Sequence, residues 1–287
     1  MELSQKFVRK QMEKLKPLSE HASLETCRRS QDILGSILAK TMRSNVDIHD
    51  AKLSNCEVAW IYPHDELKKG IILYLHGGGY TCGDLEYAKG FGSVLSGEFG
   101  IRVMCIAYRL APENPYPAAV DDALEAYRLL LTNGYLPGQI VLAGESAGGG
   151  LCYALCRKLK ELRIPLPACI VTCSPWMNLK NDGETFESNR EIDPSLSKEQ
   201  LDFYAECYTA NEYSLEDPMI SPLFGELDGF PPSIIFAGSD ELLLDDSVQL
   251  HKKLCASGSA SELIVADGMW HAYVLFCIKE RACDIRR

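Results

Sequence analysis

From about residue 57 onward, short β-rich apolar runs alternate with longer stretches in which apolar residues recur at every third or fourth position. That alternation marks strand–helix–strand crossovers on a mostly parallel sheet, and it predicts an α/β fold. The runs Gly70–Leu75, Arg102–Tyr108, Gln139–Gly144, Ala168–Cys173, Pro232–Gly238 and Ser261–Ala266 read as strands. Several are apolar on both faces, as strands in the middle of a parallel sheet must be. Glu57–Pro63 is expected as an antiparallel edge. Residues 119–131, 149–162 and 246–258 carry helical spacing and should pack on the sheet, the last stopping at Gly258, a residue suited to closing a helix.

Two regions fall outside the alternation. Residues 1–45 read as two amphipathic helices divided at Pro17; about 177–215 is polar and then helical from Ser197. The expected organisation is therefore an N-terminal pair of cap helices over 1–45 and a catalytic core over 46–287, with a cap insertion at about 177–215. Ordinary peripheral helices are the alternative, and the pattern barely separates the two.

Charge narrows the partners. The net charge of −11 comes from 40 acidic against 29 basic residues, and no Lys/Arg block offers a footprint for nucleic acid or an anionic membrane. The N-terminus lacks the apolar core of a signal peptide, and no apolar run approaches the ~18–20 residues of a membrane span, so a soluble, cytoplasmic protein is expected. The 12 cysteines are dispersed, and no Asn-x-Ser/Thr sequon accompanies them. This pattern fits a reducing compartment. Cys152 with Cys156, and Cys169 with Cys173, lack the spacing of zinc or redox motifs and read as core packing and not as metal or redox sites.

The chemistry concentrates at Gly144-Glu-Ser146-Ala-Gly148, a G-x-S-x-G elbow lying between a predicted strand and a predicted helix. A turn this tight strains the serine backbone and needs small flanks so that strand and helix can approach. Neither of the glycine-rich phosphate-binding patterns fits the segment. A serine hydroxyl requires a base, which in this kind of fold follows the acid in the chain. Of the six histidines, His21, His49, His64 and His76 precede Ser146, and His251 lies within a predicted helix. That leaves His271, beyond a short loop after the last strand. The acid should end an intervening strand and orient the imidazole. Asp240 is preferred there, with Glu241, Asp245 and Asp246 as rivals, the last two better placed to start the following helix. His76-Gly77-Gly78-Gly79 ends another strand, and such a run lets backbone amides converge on an oxyanion together with the amide of Ala147.

Taken together, His76–Gly79, Tyr108-Arg-Leu-Ala-Pro-Glu113 followed by Pro117–Asp121, Gly144–Gly149, Gly238-Ser-Asp240 and His271 resemble the hormone-sensitive-lipase-like family of bacterial carboxylesterases in order and spacing, over roughly residues 50–275. The resemblance implies an eight-stranded α/β-hydrolase core with a small helical cap, no cofactor, and hydrolysis of short-chain esters, acetyl to about hexanoyl. It implies oxyanion donors at Gly78, Gly79 and Ala147, and site support from His76 and Glu145 with Arg109, Glu113 and Asp121. Two departures stand out: Asp240-Glu-Leu replaces the family's frequent Asp-Pro-Leu, and only 16 residues follow His271. The second puts a possible homodimer through the sheet edge in question. An amide, peptide or lactone hydrolase uses the same triad, and a non-catalytic ligand-binding homologue uses the same pocket, although such homologues commonly lose a triad member. The natural alcohol of a small-molecule ester substrate has no motif.

Overall fold

The computed structural model describes residues 4–20, 22–42, 45–65 and 68–276, with the backbone alone at 17–20, 34 and 37–42. The segment after Phe276, where the shortness of the C-terminus would matter, lies outside the described residues. Eight strands form one sheet in the order β1-β2-β4-β3-β5-β6-β7-β8: β1 (Val46–Lys52), β2 (Glu57–Pro63), β3 (Ile71–Leu75), β4 (Arg102–Ala107), β5 (Ile140–Glu145), β6 (Cys169–Cys173), β7 (Ser233–Gly238) and β8 (Ser261–Ala266). The β1/β2 and β2/β4 pairs are antiparallel and the others parallel.

Helices are α1 (Gln5–Glu20), α2 (Leu24–Met42), α3 (Leu85–Phe99), α4 (Ala118–Thr132), α5 (Ala147–Glu161), the single turn α6 (Thr185–Ser188), α7 (Lys198–Thr209) and α8 (Leu244–Ala256). Three features differ from the sequence expectation. β2 is antiparallel but not an edge, because the largely exposed and polar β1 pairs outside it. α1 runs through Pro17, and the break falls between Glu20 and Leu24, where the Ser23 hydroxyl accepts from the Thr26 amide. α3 was not expected: its lining is small and polar, and its ends are set by Asp84, which accepts from the Tyr87 amide, and by Gly100 at φ 59°.

Strand parity builds a core on each face of the sheet. Ile71, Leu73 and Leu75 of β3 join Ile140 and Leu142 of β5 in the larger cluster, with α4, α5 and α8. Ile72 and Tyr74 turn to the opposite cluster with Leu85 and Ala88 of α3. α2 lies directly on α3, and a Cβ on Gly35 would stand 2.1 Å from the Tyr87 Cα. Among the described residues no helix is long and apolar enough to cross a membrane.

The chain order reverses around β3. From β3 the chain crosses to β4 on one side, and from β5 to β6 on the other. The segments leaving their carboxyl ends thus diverge and leave a crevice, as open α/β sheets do at a switch point. Leu75 and Gly144 are register partners, which sets His76–Gly79 beside Ser146.

Candidate active site

Ser146 sits at φ 54°, ψ −124°, a conformation that an L-residue adopts only when its surroundings impose it. Here they do: its amide donates to the Cys173 carbonyl at 3.0 Å, and its carbonyl accepts from the amides of Gly150 and Trp176. The flanking glycines allow the turn to close. A Cβ on Gly148 would lie 2.0 Å from the Leu75 carbonyl oxygen, and one on Gly144 2.6 Å from that of Gly148. α5 begins at Ala147, so its N-terminal amides and positive dipole end are next to the serine.

The glycine loop is held from below. His76 is fully buried and stacked on Tyr108, with ring centroids 4.2 Å apart; its Nδ1 is 2.7 Å from the Gly77 carbonyl, which calls for a proton on that nitrogen. Burial pushes its pKa down to about 4, so the ring is neutral at ordinary pH. The Tyr108 hydroxyl donates to the His76 carbonyl at 2.7 Å. Glu145 is also buried and accepts from the Gly77 amide at 2.5 Å and from the hydroxyls of Tyr74 at 2.7 Å and Tyr87 at 3.0 Å. Burial pushes its carboxyl up to about 7, against the pull of those three donors. The amide of Gly77 is thus committed to Glu145 and is not presented to the crevice, which corrects its expected place in an oxyanion hole. Gly78 and Gly79 follow at φ 118° and 61°. Gln31 of α2 donates to the Gly77 carbonyl at 3.2 Å.

At the acid position the structure separates two adjacent carboxylates. Glu241 is fully buried, with Oε2 3.3 Å from His271 Nδ1 and Oε1 accepting from the Gly238 amide. The 3.3 Å separation is that of an ion pair whose hydrogen bond is not aligned; catalytic pairs are often this loose before substrate binds. Burial raises the Glu241 pKa, opposed by the neighbouring His271 and Ser174 side chains. Asp240 does not meet the imidazole. Its Oδ2 lies 2.6 Å from Nη1 of Arg9 on α1, and its Oδ1 accepts from the Ser239 hydroxyl. The correction has a simple cause: beyond β7 the chain turns, and consecutive side chains leave on different sides, one inward and one toward α1. The other rivals lie elsewhere. Asp246 accepts from the amides of Met177 and Asn178, and Asp245 stands in the first turn of α8.

Ser174 carries no sequence signal, yet it joins the parts. Its hydroxyl accepts from the Ala272 amide at 2.9 Å and lies beside Glu241, while the preceding carbonyl, Cys173, holds Ser146. One turn after β6 therefore anchors the serine and the histidine loop next to the acid. Of the residues assigned to support, Arg109 pairs with Asp122 at 2.7 Å and not with Asp121, and Glu113 pairs with Arg28 of α2 at 2.7 Å. His251, in α8, lies 3.0 Å from the Ser261 hydroxyl. Among the described residues, no group of three or more His, Cys, Asp or Glu is arranged to hold a metal ion.

A family profile described as the alpha/beta hydrolase fold matches residues 72–275. The chain is 36% identical over 221 residues to an acetyl-hydrolase of Streptomyces hygroscopicus, covering 77% of this chain and 73% of that protein. It is 33% identical over 206 residues to an esterase of Acinetobacter venetianus, covering 72% and 68%. Among solved structures, EstE5 in crystals soaked with p-nitrophenyl butyrate superposes with a TM-score of 0.85 at 31% identity, over 96% of this chain and 94% of that one. An esterase from the bacterial hormone-sensitive lipase family superposes with a TM-score of 0.83 at 34% identity, over 92% and 89%.

Proposed function

The chain belongs to the family of the α/β-hydrolase fold and is a carboxylic ester hydrolase, and from that premise we propose that it works by two-step acyl transfer with Ser146 as nucleophile, His271 as base and Glu241 as acid. The observation that carries the reading is the buried Glu241–His271 pair, tied through Ser174 to the turn that holds the strained Ser146.

Ser146 Oγ attacks the ester carbonyl while His271 removes its proton, and Glu241 holds the imidazole and stabilises its positive charge. The developing oxyanion is met by the amides of Gly78, Gly79 and Ala147, the last at the N-terminus of α5. One such donor is typically worth about 3 kcal/mol in the transition state. His271 then protonates the leaving alcohol, and water repeats the sequence on the acyl-enzyme. α1, α2 and the segment 177–215 serve as the cap. Short acyl groups, acetyl to about hexanoyl, are the favoured substrates; the acetyl-hydrolase relative and the structural neighbour soaked with p-nitrophenyl butyrate support the short end of that range.

Hydrolysis of p-nitrophenyl esters from acetate to dodecanoate, with wild type and Ser146→Ala, tests the reading. Rates that peak at short chains and vanish in the variant are expected. A folded wild-type protein inert on every ester would turn the assignment toward an amide, peptide or lactone hydrolase, or toward a ligand-binding protein.

A further inference from the structure

We propose that Arg9 of α1 is a positioning residue for the reaction, setting the distance between Glu241 and His271 by clamping the turn of one and the loop of the other. The proposal rests on the assignment of Glu241 as the acid.

The Arg9 guanidinium reaches three segments that are far apart in the chain. Nη1 is 2.6 Å from Asp240 Oδ2 and 3.3 Å from the Gly268 carbonyl, and Nη2 is 2.7 Å from the Ile192 carbonyl. Its Nε donates to Glu13 one turn along α1, which fixes the plane of the fork. Asp240 precedes Glu241, Gly268 stands three residues before His271, and Ile192 belongs to the cap insertion. A guanidinium is suited to this because its donors are rigidly disposed; a lysine offers a single mobile ammonium.

The acid turn and the histidine loop are themselves laced together beneath the clamp. The Asp240 amide donates to the Met269 carbonyl, the Gly268 amide to the Ser239 hydroxyl, and that hydroxyl to Asp240 Oδ1. Arg9 adds a bridge from Asp240 to Gly268 across the same two segments, and releasing it lets the Glu241 turn and the His271 loop shift relative to each other. The side chains of Arg9 and Asp240 are 24% and 21% exposed, so the pair is shielded well beyond an ordinary surface bridge.

α1 is fixed where the clamp needs it. Val8 and Met12 pack in the cluster that contains Trp270, Tyr273 and Val274 around the histidine, and Gln5 adds a second donor to the Gly268 carbonyl at 3.0 Å. On the other flank, Lys16 donates to the carbonyl of Asp193, whose Oδ2 accepts from the Leu242 amide just after Glu241. The helix thus bears on both sides of the acid–base pair while touching no reacting atom.

A purely structural Arg9 would lower the melting temperature and leave the kinetics of the folded protein alone; a positioning residue changes kcat. The test measures kcat, KM and their pH dependence on p-nitrophenyl acetate, with thermal unfolding alongside, for the full chain and for Arg9→Met, Arg9→Lys, Asp240→Ala, the Arg9→Met/Asp240→Ala double variant and Glu241→Gln. Displacing reacting groups by about 1 Å costs up to roughly a hundredfold, so partial loosening in Arg9→Met and Asp240→Ala should each lower kcat about tenfold with KM within about twofold. The double variant should be no slower than Arg9→Met, and Arg9→Lys should fall between it and wild type. If Arg9→Met does not fold, Asp240→Ala reads the same clamp with α1 intact. Wild-type kcat and pH profile in the folded single variants, or additive losses in the double variant, would overturn the proposal. A different result, in which Asp240→Ala is as inactive as Ser146→Ala while Glu241→Gln still turns over, would instead remove Glu241 as the acid.

Discussion

Glu241 Oε2 lies 3.3 Å from His271 Nδ1, in a place where the carboxylate is wholly removed from water. A buried charge must be paired or neutralised, and this one has the imidazole on one oxygen and the Gly238 amide on the other, with the Ser174 hydroxyl nearby. Glu241→Gln keeps shape and volume but cannot compensate an imidazolium. Its kcat should drop about 10³- to 10⁴-fold, as when other serine hydrolases lose the acid that holds the histidine tautomer. Glu241→Asp, one methylene short of the ring, should fall between. Steady-state kcat on p-nitrophenyl acetate checks both, and a Glu241→Gln enzyme within tenfold of wild type would sink the assignment.

Glu145 ties stability to pH. Burial raises its carboxyl from 4.5 to about 7, so the folded protein holds a proton that the unfolded chain gives up. The group's contribution is complete below about pH 4.5 and is lost as pH rises through 7. Glu145→Gln is neutral throughout, can still accept from Gly77 and can donate to a tyrosine oxygen. It should flatten the fall in unfolding free energy between about pH 5 and pH 8 by up to about 3 kcal/mol, measured by urea titration. Asp246, raised to about 8 by burial, keeps a slope of its own in both proteins. An unchanged slope in Glu145→Gln would show that Glu145 is ionised throughout that range.

Much of this was legible in the sequence, and the misses share a cause. The parallel strands were marked by apolar runs, and the elbow, the glycine loop and His271 by residue types that few other purposes bring together. Adjacent acids were not separable. Asp240 with Glu241, and Asp121 with Asp122, differ by one residue, and only the course of the turn in one case and the phase of α4 in the other decide which faces inward. Arg9, Gln31 and Ser174 have no motif, because each acts through a contact more than 40 residues away along the chain. β1 was missed because it is exposed and polar, with alternation too weak to read.

Gly79 tests the oxyanion loop. It stands at φ 61°, and a Cβ there would lie 2.3 Å from Cδ2 of Tyr204 in α7. Gly79→Ala must move the loop or the ring, and it strains the backbone in either case. With the Gly79 amide proposed as a donor to the developing oxyanion, kcat should fall about a hundredfold with KM little changed. Adding Tyr204→Ala relieves the collision but not the φ strain, so part of the rate should return. Wild-type kcat in Gly79→Ala would exclude its amide from the hole.

Ser174 offers the finest probe of the acid–base pair. Its lone pair takes the Ala272 amide, and the hydroxyl lies beside the Glu241 carboxylate, whose charged form it favours. Ser174→Ala leaves a buried amide unpaired beside His271 and takes a polar neighbour from the Glu241 carboxylate. Burial already raises the Glu241 pKa, and the Ser174 hydroxyl opposes that rise, so its loss moves the carboxyl further up. A protonated Glu241 cannot stabilise the imidazolium, and activity must then fail at a higher pH on the acidic side. The expected result is a kcat lowered about tenfold at neutral pH, with the acidic limb of the kcat/KM profile shifted upward and the basic limb unmoved. A Ser174→Ala profile that merely scales down, with both limbs where wild type has them, would mean that the hydroxyl supports the loop through Ala272 alone and leaves the charge on Glu241 untouched.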